Sequence, residues 1–345
     1  MNHSQDKPSP QLKLFFWLIL GVYSTFFAEV VSGSDPFPFF HPWGLGAVVP
    51  LYTLHTLVLS YVVFTYGRPR FTTLFLAGTI FGLYEAYITK VLWAPPWTDD
   101  PIAFAGVAVS DFIVLVLFWH PIFAFIIPLL AGETLLTRSR RGWNGLPDPV
   151  RRLFASGRKA RVTLALSALA MGLIAASNAL SPVHALLSGI STTAVTLLLT
   201  CLWREKSGGQ RYDVQALLPG KRAFPVLLFL LVTLYVALGI SLRPEALPGL
   251  GAQAAIWLSY AGLIALLALN LRKSRGTSLA AHPPPAIPFS WKTLGGLAAL
   301  FTLAATLGRL TFAPASHIIQ LMIWLIGGGT GLYMLFLATR DVLLD

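Results

Sequence analysis

Glu85 and Asp111 are acids set inside apolar stretches long enough to cross a membrane. An ionised carboxylate is costly in hydrocarbon. Such residues therefore face one another, a protein interior or a water-filled path, and they mark proton, ion or substrate routes. Leu74–Trp93 holds Glu85 and, further on, Lys90, while Ile102–Leu130 holds Asp111 and His120. His55 sits in a third such stretch, Leu45–Val63. Two carboxylates close together in a low dielectric cannot both ionise cheaply. That suits a proton carrier, a general acid or a site awaiting a cation. The same residues also suit a hydrogen-bonded knot that holds helices together.

The elements that must position them are membrane helices. The chain is 55% hydrophobic and 11% charged, far below the charge of a soluble domain, about 25%. Apolar runs of about 20 residues recur along it, which reads as an all-α polytopic membrane protein. Ten spans are expected: Leu14–Val31, Leu45–Val63, Leu74–Trp93, Ile102–Leu130, Val162–Leu180, Val183–Trp203, Phe224–Ile240, Ala252–Leu271, Leu294–Leu310 and Ile318–Leu337. The fourth is too long for one upright crossing. Pro121 and Pro128 predict a kink in its second half. The first span lacks a small-x-small cleavage site and carries Glu29 near its end, so it is read as a retained helix rather than a signal peptide.

Charge supplies orientation. With both termini cytoplasmic, all of the 25 Lys and Arg residues fall on the inner side except Lys90, Arg243 and Arg309. This is the asymmetry that the positive-inside rule demands. It also accounts for the net charge of +11 without nucleic acid, and the prokaryotic plasma membrane is the expected location. The lone Cys201 excludes an internal disulfide.

Counted from the expected outer helix ends, His55, Glu85 and Asp111 all lie about 12–15 Å deep, near the midplane and open to the outer face. Glu29 and Lys90 support them from the rim. Glu85 and Lys90 point about 140° apart on one helix, so Lys90 is expected either to snorkel outward or to meet Glu29. His120 reads as a packing residue on the cytoplasmic side, and Glu133 as a solvated group at the inner boundary. Asp35, Asp99 and Asp100 in the outer loops are solvated acids or a funnel for cations.

Residues 1–135 form a four-helix unit that carries the buried ionisable groups. Residues 136–161 form a basic cytoplasmic connector, and residues 162–345 a six-helix unit. Trp143 and Phe154 among the basic residues of the connector suit contact with anionic lipid headgroups, although a solvated loop serving topology is an equal reading. The proline run after His282 reads as a stiff linker. The small residues of Leu166–Ala176, of Leu294–Ala305 and of the run beginning at Gly327 read as packing faces.

Phe27-Ala-Glu-Val-Val-Ser-Gly-Ser-Asp-Pro, followed by Phe81-Gly-Leu-Tyr-Glu-Ala-Tyr-Ile-Thr-Lys-Val-Leu-Trp, resembles a group of uncharacterised prokaryotic multi-pass membrane proteins. In that group a Glu-x-x-Ser-Gly-Ser-x-Pro element precedes a helix with a Gly-x-x-Glu-Glu core and a downstream lysine. The likeness covers residues 25–100. The Glu-Glu core is in turn similar to that of CAAX-type intramembrane proteases, and Glu85 matches its first glutamate. Ala86 stands in place of the second, and no Phe-x-x-x-His or His-x-x-x-Asn follows. That departure counts against protease activity.

No phosphate loop, His-Glu-x-x-His or Gly-x-Ser-x-Gly occurs, and no cofactor motif is present. The favoured function is transport of a small solute or ion coupled to protons, with Glu85, Asp111 and His55 as the binding or relay site. The alternatives are a membrane-embedded hydrolase acting on a lipid or peptide, in which the trio would bind a metal or act as acid and base, and a non-catalytic assembly or sensor protein.

Overall fold

The computed structural model describes residues 7–208, 212–275, 286, 290–311, 318 and 321–343. The proline run at 282–285 lies outside them. Among the described residues the regular structure is helical apart from one two-stranded hairpin, and the expected all-α polytopic class holds. The helices are α1 (Pro10–Val30), α2 (Gly44–Tyr66), α3 (Phe71–Gly82), the single turn α4 (Tyr84–Tyr87), α5 (Val109–Leu136), α6 (Gly157–Asn178), α7 (Pro182–Ser207), α8 (Ala223–Ser241), α9 (Leu250–Arg275), α10 (Trp291–Thr311) and α11 (Gly328–Leu343). Strands β1 (Ala103–Phe104) and β2 (Val107–Ala108) pair antiparallel before α5. Among the described residues, eight helices are long and apolar enough to cross a membrane: α1, α2 and α5 to α10.

Local chemistry sets the ends. Ser9 accepts from the Leu12 amide at 3.2 Å and Pro10 opens α1. Ser181 accepts from the His184 amide at 3.1 Å, and Pro182 opens α7. A side-chain oxygen at the cap satisfies a donor that the first turn leaves orphaned, and proline loses nothing there.

Two expected spans are corrected. Leu74–Trp93 is not one helix. α3 ends at Gly82, Leu83 turns (φ −67°, ψ −9°), and α4 adds one turn before the chain breaks again at Ile88. Thr89 turns its hydroxyl onto the Glu85 carbonyl at 3.1 Å, competing with the helix for its own backbone. The fourth span begins at Val109 rather than Ile102, because residues 103–108 form the hairpin, whose turn places Ala105 and Gly106 at positive φ. Around Pro121, residues Phe112–Ile126 are π-helical. The wider turn absorbs the missing proline donor without a break, and such turns recur at functional sites.

The chain divides into two compact units. One comprises Met1–Thr53, Ile127–Leu218 and Leu279–Leu321, and the other Leu54–Ile126, Pro219–Ser278 and Met322–Asp345. The divisions fall inside α2 and α5. In the first unit, α6 lies flat on α10 where Gly172 meets the Phe301 carbonyl and Ala304, and Gly189 of α7 meets Thr302. Tyr23 and Thr200 share a hydrogen bond of 2.5 Å between α1 and α7. The Trp203 indole donates to the Leu136 carbonyl at 2.7 Å. In the second unit, Gly78 of α3 rests on the Pro121 backbone, and Gly82 on Val116 and the His120 Cβ. Gly327 and Gly331 meet Phe118 and the Leu117 backbone of α5, the close packing expected of that glycine-rich run.

A side chain at Gly172 has no room. Gly172→Leu is expected to force α6 off α10 and destabilise the protein by about 1–3 kcal/mol. A thermal unfolding scan in detergent checks this. An unchanged midpoint would mean that the helices are not held at this contact.

Candidate functional site

The site is built in the second unit by the close approach of α3 and α5. Because Gly78 and Gly82 carry no side chains, the π-helical segment of α5 comes within backbone contact. It presents His120 to the turn that follows α3. His120 is 2% exposed and Glu85 7% exposed, with His120 Nε2 3.4 Å from Glu85 Oε1 and 3.1 Å from the Tyr84 hydroxyl. Glu85 also accepts from the Thr89 hydroxyl. The expectation that His120 is a cytoplasmic-side packing residue is thus corrected. The count along an α-helix failed because α3 stops short and α5 widens its turn, which brings the two residues together.

The protonation of this pair follows from its partners. His120 Nδ1 lies 2.9 Å from the Leu115 carbonyl, which can only accept, so Nδ1 carries hydrogen. Nε2 then faces a carboxylate with either a lone pair or a second proton. A lone pair against an ionised carboxylate is repulsive. The Tyr84 hydroxyl can donate to that lone pair, and a proton on Glu85 or on His120 Nε2 also relieves the repulsion.

His55 joins from α2. Its ring stacks on Phe81 at 4.4 Å between centroids and lies 5.7 Å from the Tyr84 ring. His55 Nε2 is 3.0 Å from the Tyr235 hydroxyl, which is 3.5 Å from that of Tyr260. Phe81 also lies 5.8 Å from the His120 ring, so both imidazoles border one aromatic wall. Tyr84, Tyr235 and Tyr260 went unnoticed in the sequence, because tyrosine is ordinary in an apolar span.

Asp111 sits in the first turn of α5, close enough to Glu85 for the two carboxylates to interact electrostatically. It therefore lies next to its helix start, not nine residues in. Its Oδ2 is 3.2 Å from the Ser110 hydroxyl, the Trp97 side chain approaches the carboxylate, and its Oδ1 is buried with no hydrogen-bond partner. Among the described residues, no three His, Cys, Asp or Glu side chains group as metal ligands, so Glu85, Asp111 and His55 do not form a metal-binding trio.

The two supporting residues have separate surroundings. Glu29 lies in the π-turn that ends α1, in the first unit, and accepts from the Tyr52 hydroxyl at 2.5 Å and from Ser34. Lys90, in the second unit, is fully buried. It neither snorkels nor reaches for a carboxylate. Its ammonium donates to the Gly239 carbonyl at 2.9 Å and to the Leu242 carbonyl, where a cation complements the end of the α8 dipole. Arg243 answers by donating to the Thr89 and Ala94 carbonyls at 3.1 and 2.8 Å. Lys90 and Arg243 both adopt positive φ, 58° and 49°, a strain of about 1–3 kcal/mol each that this reciprocal clasp sustains. It fixes the segment that follows Glu85.

Glu133 is also corrected. It is 1% exposed, not solvated, and its carboxylate accepts from the Gly142 and Trp143 amides and the Ser139 hydroxyl.

Fold and site together define a multi-pass helical membrane protein with a buried cluster of ionisable and hydroxyl side chains. The chain belongs to the family described as "Uncharacterized membrane protein family", whose model matches residues 18–344. A relative from Archaeoglobus fulgidus, named "Uncharacterized protein", is 37% identical over 270 residues, which cover 77% of this chain and 81% of the relative. Both agree with the resemblance noted in the sequence. No solved structure matches.

Proposed function

We propose that this protein is a proton-coupled transporter of a small solute or ion in the prokaryotic plasma membrane, with Glu85 and His120 as the proton carrier. The observation that carries this reading is the buried Glu85–His120 contact of 3.4 Å, which one proton can bridge. Such a pair is neutral with one proton and carries a net charge after losing or gaining one, so each change favours the movement of a compensating ion or solute. The Tyr84, Tyr235 and Tyr260 hydroxyls and His55 supply donors and acceptors along the same wall. A hydrolase built on a metal held by the trio is less well supported, since those three residues do not group as ligands.

The test is reconstitution into liposomes that trap a pH-sensitive dye. With candidate solutes and ions supplied on one side, an imposed gradient is expected to change the internal pH only when the protein is present. Protein-containing and empty vesicles that respond alike would overturn the reading.

The proposal includes ten spans with both termini inside. Reporter tags at either terminus and at Gly145 are then expected to read cytoplasmic, and a tag beside Asp99 external. An external signal at Gly145 would reverse the orientation of everything beyond α5. The basic connector at 136–161 would lie against anionic headgroups in that topology.

A further inference from the structure

We propose that Asp111 anchors a binding site for a small hard monovalent cation, making such a cation the ion exchanged or co-transported with the proton. This rests on the transport reading and assigns its second ion. Asp111 is 1% exposed, yet its Oδ1 has no hydrogen-bond partner. An orphaned carboxylate oxygen in a protein interior calls for a ligand, because leaving it bare forfeits the hydration that burial removed. Oxygens border the carboxylate, beside the Trp97 side chain and the Asp111 amide. Ser110 Oγ is 3.2 Å from Asp111 Oδ2, and Glu85 lies within electrostatic range. Oxygen donors select hard cations, and soft metals prefer sulfur and imidazole ligands, whereas the ligand atoms that Ser110 and Asp111 offer are oxygens. A divalent ion needs six or more oxygens or several carboxylates, which the acids present do not supply, whereas one carboxylate with neutral oxygens suits a single positive charge.

The location also fits an occluded ion. The hairpin leads directly into the first turn of α5, and its Ala108 amide donates to the Leu92 carbonyl at 2.9 Å. That bond ties the approach to Asp111 to the segment beyond Glu85. A cation at Asp111 and a proton at Glu85 would therefore be felt by the same short stretch of chain. Each positive charge would weaken binding of the other, the electrostatic basis of exchange.

The experiment uses the purified full-length protein in detergent with sodium as the probe. Sodium chloride is titrated against choline chloride at constant ionic strength, and the thermal midpoint is followed. The wild-type midpoint is expected to rise with sodium, stability gaining RT ln(1 + [Na+]/Kd), flat well below Kd and logarithmic above it. Asp111→Asn is expected to stay flat while eluting as a folded monodisperse species. Ser110→Ala, a milder change, is expected to shift the half-saturating concentration upward by about tenfold. A sodium response that is absent in wild type, or equal in wild type and Asp111→Asn, overturns the proposal. If Asp111→Asn does not fold, an unshifted sodium curve in Ser110→Ala overturns it instead. The cation site and the proton carrier are coupled, yet each reading fails on its own readout. Glu85→Gln is expected to lose proton flux yet keep a sodium-dependent midpoint, so sodium insensitivity with intact flux condemns the cation site alone. Absent flux with an intact sodium response condemns the proton reading alone.

Discussion

Glu85→Gln is expected to abolish proton movement while leaving the protein folded and inserted. The amide keeps the shape of the side chain and still bonds to Thr89 and Tyr84, so the packing of α3 on α5 is untouched. What it loses is the exchangeable proton. With His120 Nδ1 committed to the Leu115 carbonyl, only Nε2 can pass a proton to its neighbour, and a glutamine amide in that place can neither accept nor release one. Removing a positioned proton carrier costs about 10²-fold or more in rate. In the dye-loaded liposomes the pH change is expected to fall to the level of empty vesicles, with an unfolding midpoint close to wild type. Glu85→Asp retains the carboxylate but draws it back from a His120 already 3.4 Å away, so flux should be reduced rather than lost. A purely structural knot predicts the reverse order. It would tolerate Gln, and the large loss would come from Ala and would appear in the midpoint. Full flux in Glu85→Gln would remove this residue from any transport cycle.

The class of protein was legible because it rests on long-range composition. Long apolar helices stand out whatever their exact ends, eight of them among the described residues. Glycine runs were legible as contacts because a missing side chain has few other uses in a membrane helix, and Gly172, Gly327 and Gly331 all meet a neighbouring element closely. The break after Gly82 was hidden, since Leu83 to Trp93 holds no Pro or Gly and its charges Glu85 and Lys90 read as a buried site rather than as a turn. The start of α5 was hidden as well. Val107, Ala108 and Val109 look helical until the hairpin turn at Ala105 and Gly106 is seen. These two errors matter for chemistry. Depth counted at a uniform rise placed His120 far below Glu85, whereas a shortened α3 and a π-helical α5 set them side by side. Lys90 was misread because a lysine in an apolar run suggests water or an acid. The carbonyls that end a distant helix leave no trace in local sequence.

Glu133→Ala is expected to produce the largest stability loss that leaves the proton site itself intact. This carboxylate organises the start of the basic connector from inside. It accepts from the Gly142 amide at 2.9 Å, the Trp143 amide at 3.3 Å and the Ser139 hydroxyl at 3.0 Å. Trp143 is seated by its own indole on the Thr134 hydroxyl at 2.8 Å. Truncation strands those donors in a buried pocket. Each unsatisfied group costs about 1–3 kcal/mol, and the connector can recover part of that by opening to water, so a net loss of about 3 kcal/mol is expected. Opening is itself measurable. Trypsin should cut the variant at Arg140, Arg141, Arg151 or Arg152 under conditions where wild type resists, and the cleavage should precede the loss of helical signal on warming. Glu133→Gln supplies one acceptor but turns an amide NH2 toward backbone donors, so its loss should fall between wild type and Ala. Flux per folded molecule should be unchanged in both variants, because these contacts all lie in the first unit and Glu85 lies in the second. A Glu133→Ala protein as protease-resistant as wild type would mean that the basic connector is held by its other contacts. The buried carboxylate would then be idle.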